Sequence, residues 1–201
     1  MHLADGVLQT PAVVATSVAA GALVANGLRK VENEDIPKIS LMTATFFVFA
    51  LMSFKAGPSS VHPLLGGLIG IILGWKAPIA IFIGLVLQAA IFQHGGFTTL
   101  GINTLMVSIP SIIAYLFFRT AARNKKNITL ASAGAAVISV ALTVAILLSV
   151  LALSGANFKE IILIIIAGHI PLAIAEGFLT AAVVKFLSKT RPEFLSEYNL
   201  N

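Results

Sequence analysis

The chain has 201 residues, of which 58% are hydrophobic and only 10% are charged, and this composition excludes an ordinary soluble domain. It predicts an all-α membrane protein, because a chain of this length forms one bundle of helices of about 20 apolar residues each and lipid excludes irregular exposed backbone. The sequence contains no cysteine, so disulfides and thiolate ligands are excluded and any metal ion must be held by nitrogen or oxygen.

The first six residues, MHLADG, bring together an unusual set of nitrogen atoms. No basic residue precedes the first apolar run and no small-residue cleavage site follows it, so we expect no signal peptide and a chain that begins at Met1. The Met1 amine, the His2 backbone nitrogen and the His2 ring then close two chelate rings around one ion and leave one corner of a plane open. Tetragonal nitrogen coordination suits Ni(II) or Cu(II), with Co(II) close behind. Taken alone, a histidine at position two more often has no such role.

Seven apolar runs predict seven membrane helices, after a connector of residues 3–10 that is long enough, at roughly 25 Å when extended, to return Met1 to the bundle. The runs span residues 11–28, 39–54, 64–74, 79–92, 104–118, 128–153 and 161–187. The third and fourth runs are short and interrupted by Gly and Pro, a feature that points to a binding site in membrane transporters. We treat the chain as one domain, with a chelating segment (1–10), a helical bundle (11–187) and a tail (188–201).

Basic residues are distributed unevenly between the predicted loops. If the N-terminus lies outside, eleven of the thirteen fall in cytoplasmic connections or the tail, and only Lys55 and Lys159 fall outside. This positive-inside bias predicts an external N-terminus and a cytoplasmic C-terminus. The topology explains the net charge of +5, which therefore does not indicate a nucleic-acid partner.

In this topology the four histidines share the outer layer of the membrane. His2, His62 and His94 lie in outer segments, and His169 lies in the half of the last helix that is nearer the same side. Each has an ordinary alternative, as a solvated loop residue or, for His169, as a hydrogen-bonded packing residue. Four imidazoles in one layer nevertheless favour a polar or metal site.

His62 is the best candidate for the fourth metal ligand, because it lies at a break between helices and Pro63 restrains it to extended conformations. His94, followed by two glycines, is expected to orient a ligating imidazole or to cover the site.

Asp5, His169 and Glu176 complete the residues that we expect to support or gate the site. Glu176 follows His169 by seven residues and lies on the same helix face, so a buried carboxylate there is able to pair with the imidazole. We favour a structural or gating role for Glu176 over direct ligation.

Catalytic motifs are absent from the sequence, which has neither an H-E-x-x-H pair nor the lysine of a phosphate-binding loop after Gly95 and Gly96. We expect a transport subunit without a cofactor, not an enzyme, and other subunits must supply the energy for uphill import. The alternative is a self-sufficient transporter that uses His169 and Glu176 as a proton relay. An intramembrane metal hydrolase is a third hypothesis, for which no acid–base pair is visible.

Three motifs resemble the substrate-binding membrane component of the cobalt and nickel energy-coupling-factor importers, the CbiM/NikM family. They are residues 1–6 (MHLADG), 60–67 (SVHPLLGG) and 93–104 (QHGGFTTLGINT). The resemblance covers nearly the whole chain and implies a seven-helix bundle into which the N-terminal segment is inserted. It further implies a metal ion held by the Met1 amine, the His2 amide and ring, and His62.

The same resemblance implies partners in the prokaryotic inner membrane. These are a transmembrane coupling subunit, two cytoplasmic ATPase subunits and often a small additional membrane protein. The choice between Ni(II) and Co(II) stays open.

Overall fold

The computed structural model describes residues 2–52, 54–56, 59–124, 127–154 and 159–198, and most of these residues are helical. The seven α-helices of this part of the chain are α1 (Thr10–Leu28), α2 (Ile36–Ala50), α3 (Gly66–Leu73), α4 (Ala77–Phe92), α5 (Leu100–Arg123), α6 (Ile128–Leu153) and α7 (Lys159–Thr190). Three short 3-10 segments are present at Asn33–Asp35, Gly74–Lys76 and Pro192–Tyr198. The predicted seven-helix bundle is confirmed.

Five stretches of the described chain are long and apolar enough to cross a membrane: Thr10–Leu28, Gly66–Phe92, Leu100–Arg123, Ile128–Leu153 and Ile162–Thr190. Large apolar side chains remain exposed on the outside of the bundle, among them Leu130 at 71% and Phe178 at 74% exposure. Such a surface is favourable in lipid and unfavourable in water. The protein is therefore a multi-pass membrane protein, as predicted.

α3 is short and lies wholly inside the bundle, where all eight of its residues are buried. Its glycines permit very close contact with two neighbours. A Cβ on Gly67 would lie 2.4 Å from the Ala136 Cα of α6, and a Cβ on Gly70 would lie 2.1 Å from the Ser111 carbonyl oxygen of α5. The Gly74–Lys76 turn then connects α3 to α4, so the predicted pair of short segments is confirmed.

A short β-hairpin replaces the predicted end of the second helix. The sequence predicts helix to residue 54, but α2 ends at Ala50, and the strands β1 (Phe54–Ala56) and β2 (Ser59–Val61) pair antiparallel. Gly57 and Pro58 come between the two strands in sequence and lie outside the described residues. The hydrogen bonds between the two strands pair backbone groups that are no longer paired within a helix. His62 directly follows the hairpin and lies shortly before the start of α3.

The basic loops meet at the opposite end of α3. Lys76 forms an ion pair with Asp35 at 2.5 Å, and Lys38 donates a hydrogen bond to the Glu193 carbonyl at 3.0 Å. Burial by itself would raise the pKa of Asp35. The hydrogen bond from Lys76, with further favourable contacts, outweighs burial and lowers the pKa of this carboxyl. Two of the eleven predicted cytoplasmic basic residues, Lys125 and Lys126, lie outside the described residues. Which end of the bundle faces the cytoplasm stays a prediction.

The predicted tail is partly folded. α7 extends to Thr190, beyond the predicted end at residue 187, and the 3-10 segment Pro192–Tyr198 then returns to the bundle. The Tyr198 hydroxyl donates to the Ile71 carbonyl at 2.6 Å, a group at the C-terminal end of α3 that has no partner in its own helix. Residues 199–201 lie outside the described part of the chain.

Candidate metal centre

Hydrogen bonds to the start of α5 insert the N-terminal segment into the bundle. The Asn103 side chain accepts a hydrogen bond from the Leu3 N–H at 2.9 Å and donates one to the Leu3 carbonyl at 3.0 Å. Thr99 donates a second hydrogen bond to that carbonyl at 2.8 Å. Leu3 itself is buried, so its backbone groups need these partners. The predicted insertion of the segment is therefore present, and Met1 lies outside the described residues.

Asp5 fastens the same segment to the loop between α4 and α5. Its carboxylate accepts hydrogen bonds from the Thr98 N–H at 2.9 Å and the Thr98 hydroxyl at 2.5 Å, and the Thr98 side chain is the main cause that lowers the pKa of Asp5. Gly96 lies directly against the carboxylate, where a Cβ would come within 2.1 Å of Oδ1. Asp5 is exposed and far less buried than the histidines, which agrees with a supporting position.

The orientation of the His2 ring is set by Gln88 of α4. His2 Nε2 and Gln88 Oε1 lie 2.7 Å apart, and both side chains are buried. An amide oxygen only accepts hydrogen bonds, so Nε2 carries the proton and Nδ1 keeps its lone pair. Nδ1 is the ring nitrogen that closes a six-membered chelate ring with the His2 backbone nitrogen.

Three of the four histidine rings come together beside this segment. The ring centroids of His2 and His62 are 4.6 Å apart, and His94 lies 5.9 Å from His2 and 6.0 Å from His62. Three of the four histidines of the predicted shared layer therefore lie together, although they are far apart in sequence. His62 is buried and His94 is half-buried.

His62 presents a neutral ring with one nitrogen available. Its Nδ1 lies 3.2 Å from the Pro63 carbonyl, to which it donates, and its buried Nε2 has no hydrogen-bond partner among the described residues. Burial lowers the pKa of His62 to about 4, so the imidazole is uncharged near neutral pH. A buried lone pair without a donor suits a metal ligand.

His169 and Glu176 do not form the pair that the sequence suggested. His169 Nδ1 donates to the Ile165 carbonyl of its own helix at 2.5 Å, whereas Glu176 Oε1 accepts from the Leu64 N–H at 2.7 Å. Each side chain thus hydrogen-bonds to a backbone group and not to the other side chain. The pairing is therefore wrong, and Glu176 instead contacts the turn that follows His62.

Side chains alone do not complete a metal site in the described part of the chain, where no three His, Cys, Asp or Glu residues are placed to hold an ion together. The predicted ligand set takes two of its four nitrogens from the backbone of residues 1 and 2. It therefore needs only two imidazoles, and His2 and His62 are the closest pair of histidine rings in the structure.

Sequence reasoning missed Gln88, Asn103 and Thr98 as parts of the site. A signal was available for Gln88, since an amide within an apolar membrane helix is costly unless it has a partner. The partners of Asn103 and Thr98 depend on how the inserted N-terminal segment lies against α5, which no local pattern reveals.

The fold and the site define a multi-pass membrane protein with three neighbouring histidine rings at one end of a helical bundle. The family model described as "CbiM: Cobalt uptake substrate-specific transmembrane region" matches residues 2–194. This chain belongs to that family. Relatives of the chain are named for cobalt transport and for nickel transport, which confirms the predicted family.

Two relatives and one solved structure illustrate the similarity. A protein of Haemophilus influenzae that is named for metal transport is 36% identical over 98% of this chain and 97% of its own length. The cobalt transport protein CbiM of Sorangium cellulosum is 32% identical over 97% and 94%. A solved structure of a transition metal transporter has a TM-score of 0.85, covers 100% of both chains and is 21% identical, so it supports the fold alone.

Proposed function

We propose that this chain is the substrate-specific subunit of an importer and binds one Ni(II) or Co(II) ion as substrate. Four nitrogens hold the ion in a near-planar arrangement: the Met1 amine, the His2 amide, His2 Nδ1 and His62 Nε2. The observation that carries the proposal is the buried contact of the His2 and His62 rings, whose centroids are 4.6 Å apart, with His62 Nε2 unpartnered among the described residues.

The chemistry of the ligands favours these ions. The chelate rings of residues 1 and 2 hold three nitrogens in one plane, and a fourth imidazole completes a tetragonal field, which Ni(II) and Cu(II) prefer and Co(II) accepts. The Gln88 hydrogen bond to His2 Nε2 supports this arrangement, because it leaves Nδ1 on the chelating side. The names of the family's members favour cobalt and nickel over copper.

Uphill import needs energy from other chains, because this sequence has no nucleotide-binding motif. We infer a transmembrane coupling subunit and two cytoplasmic ATPase subunits as partners, with a small additional membrane protein in some assemblies. In this arrangement the chain resides in the prokaryotic inner membrane with the metal site outside and the basic end inside. The chain itself is a transport subunit and not an enzyme.

The test is a series of histidine substitutions on protein with an authentic N-terminus. His2→Ala and His62→Ala should each abolish Ni(II) binding in a titration, because each removes one of the four nitrogen ligands of the planar site. His94→Ala should weaken binding by about 10–100-fold, as the loss of a supporting residue does. Complete loss in all three would make His94 a ligand, and unchanged binding in His62→Ala would contradict the proposed function.

A further inference from the structure

Glu176 is buried in α7, and its carboxylate accepts a hydrogen bond from a segment more than 100 residues earlier in the chain. The side chain is 2% exposed, and Oε1 accepts a hydrogen bond from the Leu64 N–H at 2.7 Å. The Leu65 N–H is directed at the same carboxylate. These two N–H groups lie at the N-terminal end of α3, where helical geometry leaves donors without intrahelical partners and where negative charge is favourable.

The turn that receives this carboxylate is strained. Leu65 has φ +52° and ψ +24°, a left-handed conformation, and it is the residue from which α3 begins. Left-handed backbone is costly for leucine, so it persists only where surrounding contacts hold it. The two N–H groups held by Glu176 belong to this residue and to the one before it.

His62 precedes the strained turn by three residues and is held by it on one side. On the other side, β2 ends at Val61 and pairs with β1. The imidazole is therefore fixed between a strand and a turn, with Nδ1 directed to the Pro63 carbonyl and Nε2 left in the interior. A shift of the turn would rotate Nε2 away from the centre of the site.

We propose that Glu176 is a positioning residue for metal binding, which clamps the turn after His62 so that Nε2 occupies the fourth corner of the metal plane. This inference rests on the proposed function. Glu176 touches neither the ion nor the imidazole in this arrangement. It acts through the Leu64 and Leu65 N–H groups alone.

The test compares two substitutions of Glu176 with a matched control in the same helix. Glu176→Gln keeps one acceptor oxygen for the Leu64 N–H but lacks the carboxylate charge, and Glu176→Leu has neither. Thr180→Val is the control, since Thr180 is buried one turn further along α7 and its hydroxyl has no partner among the described residues. Each full-length protein, with an authentic N-terminus, is titrated with Ni(II), and the visible absorption at saturating Ni(II) and the unfolding temperature are recorded.

We expect Thr180→Val to bind like the unsubstituted protein. Glu176→Gln should weaken binding by about 10-fold and Glu176→Leu by about 100-fold, the range seen when groups that orient ligands are lost. At saturating Ni(II) the absorption band of both Glu176 variants should move to longer wavelength than that of the unsubstituted protein, because a displaced imidazole weakens the ligand field.

Two results would overturn the inference. One is Glu176→Gln with unchanged affinity and band. The other is weaker binding with an unchanged band and a lower unfolding temperature, which would mean that Glu176 stabilises the bundle without orienting His62. If Glu176→Leu fails to fold, the Gln variant decides by the same two criteria. Unchanged binding in His62→Ala would contradict the proposed function itself, whereas loss in His62→Ala with none in Glu176→Gln would contradict only this inference.

Discussion

At the residue scale, the proposed site depends on a free amine at Met1. An added residue or an acetyl group before Met1 removes that nitrogen from the chelate and displaces His2 from Gln88. We expect Ni(II) affinity to fall by orders of magnitude in an N-terminally tagged protein, measured by titration, whereas a C-terminal tag should have no effect. Tight binding that survives the N-terminal tag would exclude Met1 as a ligand.

Gln88 provides a second test at this scale, because its hydrogen bond decides which nitrogen of His2 faces the ion. Gln88→Leu leaves the buried Nε2–H without an acceptor and lets the ring rotate. Ni(II) affinity should fall by about 10–100-fold. Gln93→Asn is the matched control, since Gln93 is exposed and its φ of +52° suits asparagine. Equal affinity in the two variants would mean that Gln88 does not orient His2.

At the scale of elements, the N-terminal segment depends on the close approach of Asp5 to the loop before α5. A methyl group at Gly96 would lie 2.1 Å from Asp5 Oδ1, so Gly96→Ala should push Asp5 off Thr98 and loosen the segment. We expect metal affinity to fall by about 10-fold or more, with little change in the unfolding temperature, because the helices are untouched.

Gly21→Ala is the control for that experiment. Gly21 lies in the exposed part of α1, with nothing within 4 Å of an added Cβ, and alanine there should stabilise the helix by about 0.5–1 kcal/mol. A Gly96→Ala protein that binds metal as tightly as Gly21→Ala would show that the Asp5 contact is dispensable.

Two ridges of small residues differ in their surroundings. Ala131 and Ala135 of α6 are buried, whereas Ala15 and Ala19 of α1 are exposed. Ala135→Leu should therefore destabilise the isolated chain by about 1–3 kcal/mol through overpacking, and Ala15→Leu should not. If the coupling subunit docks on α1, Ala15→Leu should abolish uptake by the assembled transporter while metal binding is retained. Normal uptake by Ala15→Leu would exclude this ridge as the docking surface.

The helices were predictable from sequence because lipid imposes long apolar runs and the breaks contain Gly and Pro. The same local reasoning identified His62, whose neighbour Pro63 marks the break. It failed where a segment takes its partner from a distant element. Tyr198 of the Pro192–Tyr198 segment hydrogen-bonds to Ile71. Glu176 hydrogen-bonds to Leu64 instead of to His169. Neither partner is visible in the local sequence pattern.

At the scale of the whole molecule, α3 joins two chemically different ends. His62 and the buried imidazole pair lie before its first residue, and Lys76, Asp35 and the folded tail lie around its last. The basic end surrounds a cavity of about 470 Å³. If the positive charges lie on the cytoplasmic side, as the sequence predicts, the proposed metal site lies at the outer end, as the capture step of an importer requires.

The most direct test of this account is the coordination of the bound ion. The purified chain with an authentic N-terminus, loaded with Ni(II), is examined for metal content, visible absorption and X-ray absorption. We expect one ion per chain with four nitrogen neighbours in a plane, and no bound ion in His62→Ala. A six-coordinate ion with oxygen neighbours, or a spectrum that His62→Ala leaves unchanged, would contradict it.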